Sequence, residues 1–328
     1  MAFVSASGSY LIDDRGERFL DAGISNALLG HGNRAVAEAV GRQMTGGDFG
    51  VDLRAQYIPK LLAKFPAAFT VCYLLHSTSE ACELALRLAR AHRPGKDAIV
   101  LEDADYGMTT SLANMSPARF QSRGGGKKFW VQVASRSDAS DVAAKARAVE
   151  SSGRGVCGFF AEGVFENDYL REAYASVASA GGLNIAIEGQ TGMGRLGTAF
   201  WEFERHGVSP DIVVIGESMA NGFPMAAVVT TPSLAAPFAI NDGGGPVACA
   251  AAIAVLDAMP RVPQVDLDLR GSGLCWEIDV DDAAAVVARL HEKKVLIAAR
   301  ANTVLFRPPL TFTAADAARF VDALGACL

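Results

Sequence analysis

From about residue 72 to residue 229 the chain alternates short apolar runs with helix-length amphipathic stretches, which restricts its possible folds more than any other feature. The apolar runs are VCYLLH near residues 72–77, AIVLE (98–102), FWVQV (129–133), VCGFFAE (156–162), NIAIE (184–188), DIVVIG (211–216) and MAAVV (225–229). Each has strand length and lacks the polar alternation of a half-exposed strand. Between them SEACELALRLARAH places Leu84, Ala85 and Leu88 on one helical face, and DVAAKARAVE and YLREAYASVASAGG have helical length and period. Strands apolar on both faces, separated by such helices, imply an α/β fold with a mostly parallel sheet covered on both sides.

The flanking regions differ. Residues 10–31 read as two short strands around an Asp-Arg-Gly turn, with a helix from about Asn33 to Met44. ACAAAIAVLDAM (248–259) reads as a buried helix, and MPRVPQVDLDLRGSG after it has no helical period. The C-terminal part reads as strand LCWEIDV, helix DAAAVVARLHEKK, strands VLIAA and TVLFR, and helix AADAARFVDALGAC, a small α+β unit. At about 150 residues per domain, 328 residues suit two lobes.

Composition excludes several function classes. Thirty basic against 36 acidic residues give a net charge of −6 with the basic residues scattered, so neither nucleic acid nor an anionic membrane is an expected partner. The longest apolar run, Val247–Leu256, is too short to span a bilayer, and the start MAFVSASGSY lacks the features of a signal peptide, so the expected location is the cytoplasm. The six cysteines form no C-x-x-C pair and have no histidine at ligand spacing, which reads as small buried hydrophobes rather than disulfides or a metal site.

Seven ordered strings resemble the class III, fold-type I aminotransferases, PLP enzymes, and most closely their phospholyase-like branch: YLIDDRGERFLDAGISNALLGHGN, LLHSTSEACELALRLAR, VLEDADYGMTTSLANMSPARF, the run from IEGQTGMGRLG to MAAVVTTP, GGGPVACAAAIAVL, RGSGL and FRPPLT. The resemblance implies a fold-type I aminotransferase-like architecture with helices on both faces of the sheet. It gives an N-terminal segment (1–30) packing with the small domain, a large domain (31–260) and a small C-terminal α+β domain (261–328). It also implies a homodimer with the active site at the subunit interface.

The positions that hold PLP in the family differ in this chain. The lysine of the family's G-K-x-x-x-N-G-x-P string corresponds to Glu217, and the aspartate that protonates the pyridine nitrogen corresponds to Ile187. A carboxylate forms no Schiff base, and an isoleucine holds no proton. The residue stacked on the ring corresponds to Asp105, the phosphate loop to Ser77, Thr78, Ser79 and Glu80, the partner's threonine to Asn241 or Asp242, and a substrate-gripping arginine to Leu305. Gly189 replaces a residue that packs on the ring face, leaving room for a ligand of another shape. The chain is short for the family at its N-terminal arm before Tyr10, after Phe120 and before Arg270, segments that normally cover the cofactor. The expectation is therefore a site without PLP.

Glu217, Asp105, Tyr106 and His76 are the candidate catalytic residues, since together they offer a donor and acceptor set. Ser77, Thr78, Ser79, Glu188, Gln190 and Asn241 are candidates for binding a substrate or anion, the first three at a helix N-terminus. Each also has a plain structural reading. Glu217 can be a solvated or ion-paired remnant, Glu188 a loop support and His76 a histidine satisfied by backbone, while Gly192, Gly194 and Arg195 read as a turn with a buried salt bridge. The expected function is cofactor-independent acid–base catalysis, an elimination, isomerisation or cyclisation of a small organic substrate in specialised metabolism. The alternatives are a non-catalytic relative that binds a ligand or an active partner, and a working PLP aminotransferase or lyase.

Overall fold

The computed structural model describes residues 2–24, 26–47, 52–122, 127–166, 168–236, 243–260, 262 and 269–328. Strands β1 (Phe3–Ser7), β2 (Tyr10–Asp13) and β3 (Arg18–Asp21) open the chain, followed by helices α1 (Arg34–Gly46) and α2 (Leu53–Leu62). The alternating region follows as β4 (Val71–Leu75), α3 (Thr78–His92), β5 (Asp97–Leu101), α4 (Thr110–Met115), α5 (Pro117–Ser122), β6 (Val131–Ala134), α6 (Ala139–Ser151), β7 (Val156–Ala161), α7 (Tyr169–Ser179), β8 (Leu183–Ile187), α8 (Glu202–Arg205), β9 (Ile212–Ile215) and β10 (Ala226–Thr230). Helix α9 (Pro246–Asp257) leads to β11 (Arg270–Ser272), β12 (Cys275–Asp279), α10 (Ala283–Glu292), β13 (Val295–Leu296), β14 (Ala298–Arg300), β15 (Thr303–Phe306) and α11 (Ala314–Gly325).

The central sheet has seven strands in the order β4-β10-β9-β8-β7-β5-β6. Strands β5 to β9 pair in parallel, and β10 runs antiparallel to both β4 and β9, so β4 points the same way as the parallel set. Burial explains the uniformly apolar strands. Along β8, β9 and β10 successive side chains enter opposite cores: Ile185, Ile187, Val214 and Val228 pack on the side of α3, α6 and α7, whereas Ala186, Val213, Ile215 and Val229 pack on the side of α2 and α9. A polar residue at any of these positions would be stranded on a dry face.

Two four-stranded sheets complete the molecule. One joins β1, β2 and β3 to β13, so the N-terminal segment pairs with the C-terminal region, and the other has the order β11-β12-β15-β14. Along β15 the side chains alternate. Phe306 is buried, its ring 4.4 Å from Phe320 of α11 and 5.5 Å from Phe312. Leu305 and Arg307, on the other side of the backbone, line the cavity described below.

The structure departs from the sequence reading at several elements. VLIAA is two strands rather than one, because Val295–Leu296 pairs with β3 while Ala298–Arg300 pairs with β15. Helix α2 falls where the sequence reading assigned no element; Pro59 lies inside it, yet Tyr57 and Leu61 are fully buried and packing outweighs the broken helical bond. Phe129 lies in an exposed turn before β6, and β1 extends the N-terminal segment ahead of Tyr10. The loop after Phe120 and the proline-containing stretch before Arg270 fall largely outside the described residues. All six cysteines are free thiols, five of them buried. Among the described residues no helix is long and apolar enough to cross a membrane.

Because Phe306 locks β15 to α11, Phe306→Ala is expected to lower unfolding free energy by about 3–5 kcal/mol. Urea denaturation followed by circular dichroism measures it.

Candidate active site

Where a parallel sheet ends, the carboxyl edge carries loops whose backbone polar groups are free to meet a ligand. In this chain the segments after β4, β5, β7 and β8 converge at that edge with the N-terminal segment and the C-terminal sheet, enclosing a cavity of about 410 Å³. Its walls are Gly23, Ile24 and Asn26, then Thr78 and Ser79, Asp105 to Gly107 with Arg119, Glu162, Gln190 and Arg195, and finally Ala298, Arg300, Leu305 and Arg307.

Helix α3 begins at this cavity. Ser77 caps it by accepting the Glu80 N–H at 3.2 Å, while the Glu80 carboxylate accepts the His76 N–H at 2.9 Å. Ser77 is thereby occupied as the cap. The exposed His76 ring lies 3.3 Å from Glu80 and lines no part of the cavity. Thr78 and Ser79 do face it, with the positive end of the helix behind them. The loop after β5 is laid tightly over this turn. Gly107 has φ +131°, and a Cβ there would come within 2.3 Å of Ser79 Oγ, so only glycine permits the approach. The Met108 N–H donates to Ser79 Oγ at 3.3 Å.

Asp105 accepts the Gly107 N–H at 3.0 Å and pairs with Arg119 Nε at 2.6 Å, which holds its carboxylate at the rim. Tyr106 lines the cavity, but its hydroxyl turns into the core, donating to Phe160 O at 2.8 Å. Burial pushes this phenol well above its ordinary pKa, so Tyr106 is a packing residue rather than a ready acid.

Sequence reasoning missed Glu162, which follows β7 and lines the cavity. Its carboxylate forms no hydrogen bond or ion pair among the described residues, and Oε1 lies 3.9 Å from where a Cβ on Gly189 would stand. Burial raises its pKa against the pull of Arg300, Arg136 and Arg307. Such a carboxyl can exchange a proton nearer neutrality than an exposed one. Its only early sign was its place at a strand's carboxyl end, like Glu188.

Behind Glu162 lies a lattice of buried charges. Asp103 pairs with Arg136 and, at 2.6 Å, with Arg300; Glu277 pairs with Arg300 at 2.9 Å and Arg307 at 3.0 Å. Burial alone would raise the Asp103 carboxyl, but the two guanidiniums hold it below its ordinary range. Arg195 corrects the expected salt bridge. Among the described residues it has no carboxylate at ion-pair distance, and its Nη1 donates to the carbonyl oxygens of Arg307, at 3.1 Å, and Pro308.

Glu188 stands outside the cavity. It accepts the Glu202 and Phe203 N–H groups at 3.0 and 3.2 Å, while Glu202 accepts the Gly163 and Val164 N–H groups, and the Thr191 hydroxyl lies 3.2 Å from Glu188 and 2.7 Å from Glu202. The pair clamps the loop carrying Glu162 to the loop carrying Gln190. Burial, then the neighbouring Glu202 charge, raises Glu188 to about 8; burial raises Glu202 to about 7.

Comparison with known proteins decides the family. Residues 1–267 match the model for aminotransferase class-III. The chain belongs to the class III aminotransferases. It is 32% identical to "Alanine--glyoxylate aminotransferase 2-like" of Drosophila melanogaster, covering 100% of this chain and 82% of that protein. It is 31% identical to "Ethanolamine-phosphate phospho-lyase homolog 1" of Caenorhabditis elegans, covering 97% and 86%. Among solved structures, a phospholyase from Arthrobacter in complex with phosphoethanolamine superimposes with a TM-score of 0.87 at 28% identity, covering 99% of this chain and 93% of that one. The fold is therefore the expected fold-type I architecture.

Family membership corrects the expectation of a site without PLP. The class III family is one of PLP enzymes, and relatives similar over nearly the whole chain are named as aminotransferases and phospho-lyases, so the comparisons point to PLP. The described residues of this class III protein fit the phosphate end of that cofactor, with Thr78 and Ser79 at the start of α3. No lysine is among the described lining residues, and Ile187 is buried in the core.

Position 217 opens a 3-10 helix, Glu217–Ala220. Its side chain, like all of Asn241, lies outside the described residues. Its backbone neighbour Gly216 lies against both Thr78 and Gly189, since a Cβ on it would stand 2.7 Å from Thr78 Oγ1 and 3.4 Å from Gly189 Cα. Asp105, Tyr106, Thr78, Ser79 and Gln190 are thus brought together around one cavity, whereas His76, Ser77 and Glu188 are occupied elsewhere.

The carboxyl pair makes stability depend on pH. Raised folded-state values mean that its contribution is whole below the ordinary carboxyl range and lost as pH rises through about 7 to 8. The melting temperature should fall between pH 5 and pH 8.5 by an amount that shrinks in Glu188→Gln, measured by differential scanning fluorimetry.

Proposed function

We propose that this class III protein is an enzyme that takes a small anionic amine into the cavity and carries out acid–base chemistry there, with elimination as the favoured reaction. The observation that carries the reading is Glu162, a cavity-lining carboxylate with no ion pair among the described residues, beside the space left open by Gly189. The phospholyase from Arthrobacter with phosphoethanolamine and the phospho-lyase homologue of Caenorhabditis elegans support elimination of phosphate as the reaction class.

In this reading Thr78 and Ser79 would hold the phosphate of PLP by non-covalent contacts, since position 217 is glutamate. When bound it supplies an electrophilic aldehyde and an electron-withdrawing ring. The chain's own groups do the rest. Glu162 accepts or returns the proton at the reacting carbon, Glu217 and Asp105 are the further acid–base groups proposed, and the Asp105–Arg119 pair orders the rim. The functional unit is proposed to be a homodimer, as the family resemblance implies.

The test is inorganic phosphate release from phosphoethanolamine with added PLP. Glu162→Gln and Glu217→Gln are each expected to lower the rate about a hundredfold or more while leaving the circular dichroism spectrum unchanged. Full activity in both variants would sink the acid–base assignment. The lack of a lysine among the described lining residues favours a second reading, a ligand-binding member without turnover. Phosphoethanolamine binding without phosphate release would select it.

A further inference from the structure

We infer that Glu188 and Glu202 are positioning residues of the cavity: they keep one proton between them through the Thr191 hydroxyl, and that proton holds the turn carrying Glu162 where a ligand can meet it. The inference rests on the reading above that this cavity is the substrate site. It follows that ligand binding weakens as the solution turns alkaline.

The turn after β7 is fixed by ionisable side chains. The carbonyl oxygens of Glu162 and Gly163 accept from Arg136 Nη1, the second at 2.9 Å. The Gly163 and Val164 N–H groups donate to the Glu202 carboxylate, the first at 3.1 Å, and Val164 O meets His206 Nε2 at 2.8 Å. Gly163 and Val164 are buried, so their peptide groups need these partners. Glu202 thus holds both amides that follow Glu162. It is held in turn by Glu188, which accepts the Glu202 and Phe203 N–H groups at 3.0 and 3.2 Å.

Counting protons shows what the pair needs. Thr191 Oγ1 stands between the two carboxyls, 2.7 Å from Glu202 Oε2 and 3.2 Å from Glu188 Oε2. A hydroxyl has one proton to give, so with both carboxyls ionised one of these oxygen contacts holds none and is repulsive. One added proton completes the chain from carboxyl through hydroxyl to carboxylate. Glu188 is 2% and Glu202 4% exposed, and neither has an ion pair among the described residues, so a second negative charge here is costly. Burial accordingly raises both groups. When the proton leaves, repulsion acts on Glu202, and through it on the amides beside Glu162. The other groups that act on the pair or its turn are Tyr174 of α7, with Asp211 beyond it, Cys275 of β12, His206 and Arg136. Burial raises Tyr174 and Cys275 and lowers His206, while the charge on Asp103 outweighs burial at Arg136. These four therefore keep one protonation state between about pH 7 and 8.5, where the pair titrates.

Two measurements on the full chain test this, hydrogen exchange of the peptide carrying residues 162–166 and isothermal titration with phosphoethanolamine, each from about pH 6 to about pH 9. In the wild type the exchange protection factors and the phosphoethanolamine affinity are both expected to fall about tenfold or more as the pair gives up its proton. Glu202→Gln supplies the missing proton on an amide that does not titrate, and should flatten both falls to about twofold or less. Glu188→Gln is the second variant should the first fail to fold. Glu162 and the probe titrate alike in wild type and variants, so the comparison isolates the pair. Constant protection in the wild type, or a fall that persists in the folded variants, would overturn the inference and leave the cavity reading in place. So would a fall in protection that leaves phosphoethanolamine affinity unchanged. No phosphoethanolamine binding at any pH would remove the cavity reading and the inference together.

Discussion

The cavity depends on the shared carboxylates of Asp103 and Glu277. Asp103 follows β5 of the central sheet, whereas Arg300, Arg307 and Glu277 belong to the C-terminal sheet, so the bridge from Asp103 to Arg300 ties one sheet system to the other. Such pairs add little net stability, because desolvation roughly offsets attraction. Their effect is on register. With Asp103 and Arg300 partly buried and Glu277 and Arg307 fully so, a shifted arrangement would leave charges unpaired, which is worse than a lost surface contact. The N-terminal segment is held in the same way from the other side, where the Arg307 N–H donates to Ala22 O at 3.0 Å. Three separate stretches of chain thereby close around one space.

Much of this fold was legible because the strands of the central sheet are apolar on both faces, a pattern that a sheet covered on both sides satisfies. What stayed hidden was decided by tertiary contact. Pro59 argues against a helix until the burial of Tyr57 and Leu61 is known. VLIAA looks continuous because nothing in five apolar residues says that its halves serve two sheets. At the site, position along the chain identified the cavity better than residue chemistry did. Tyr106 lies at the cavity wall, but the direction of its hydroxyl is set by Phe160 O, which is distant in sequence. Arg195 was expected to be buried, which it is, and to have an acid partner, which it lacks among the described residues.

The cofactor expectation failed for a related reason. Glu217 and Ile187 stand where the family resemblance implies a lysine and an aspartate, but they do not measure the other contacts of the site. The phosphate end depends on the helix terminus at Thr78 and Ser79, on the glycine at position 107 that lets the covering loop close, and on the size of the cavity. None of these is weakened by what stands at positions 187 and 217. A covalent anchor and a phosphate cradle are separable, and changes at the first carry no information about the second.

That separation also bears on the polarity of the site. Glu162 and Arg195 line the same cavity with opposite charges, yet they do not neutralise each other, because the carbonyl oxygens of Arg307 and Pro308 hold Arg195 while Glu162 faces Gly189. The fold keeps a carboxylate and a guanidinium apart on the walls of one cavity, where partial burial makes each worth more to a ligand than it would be in solution.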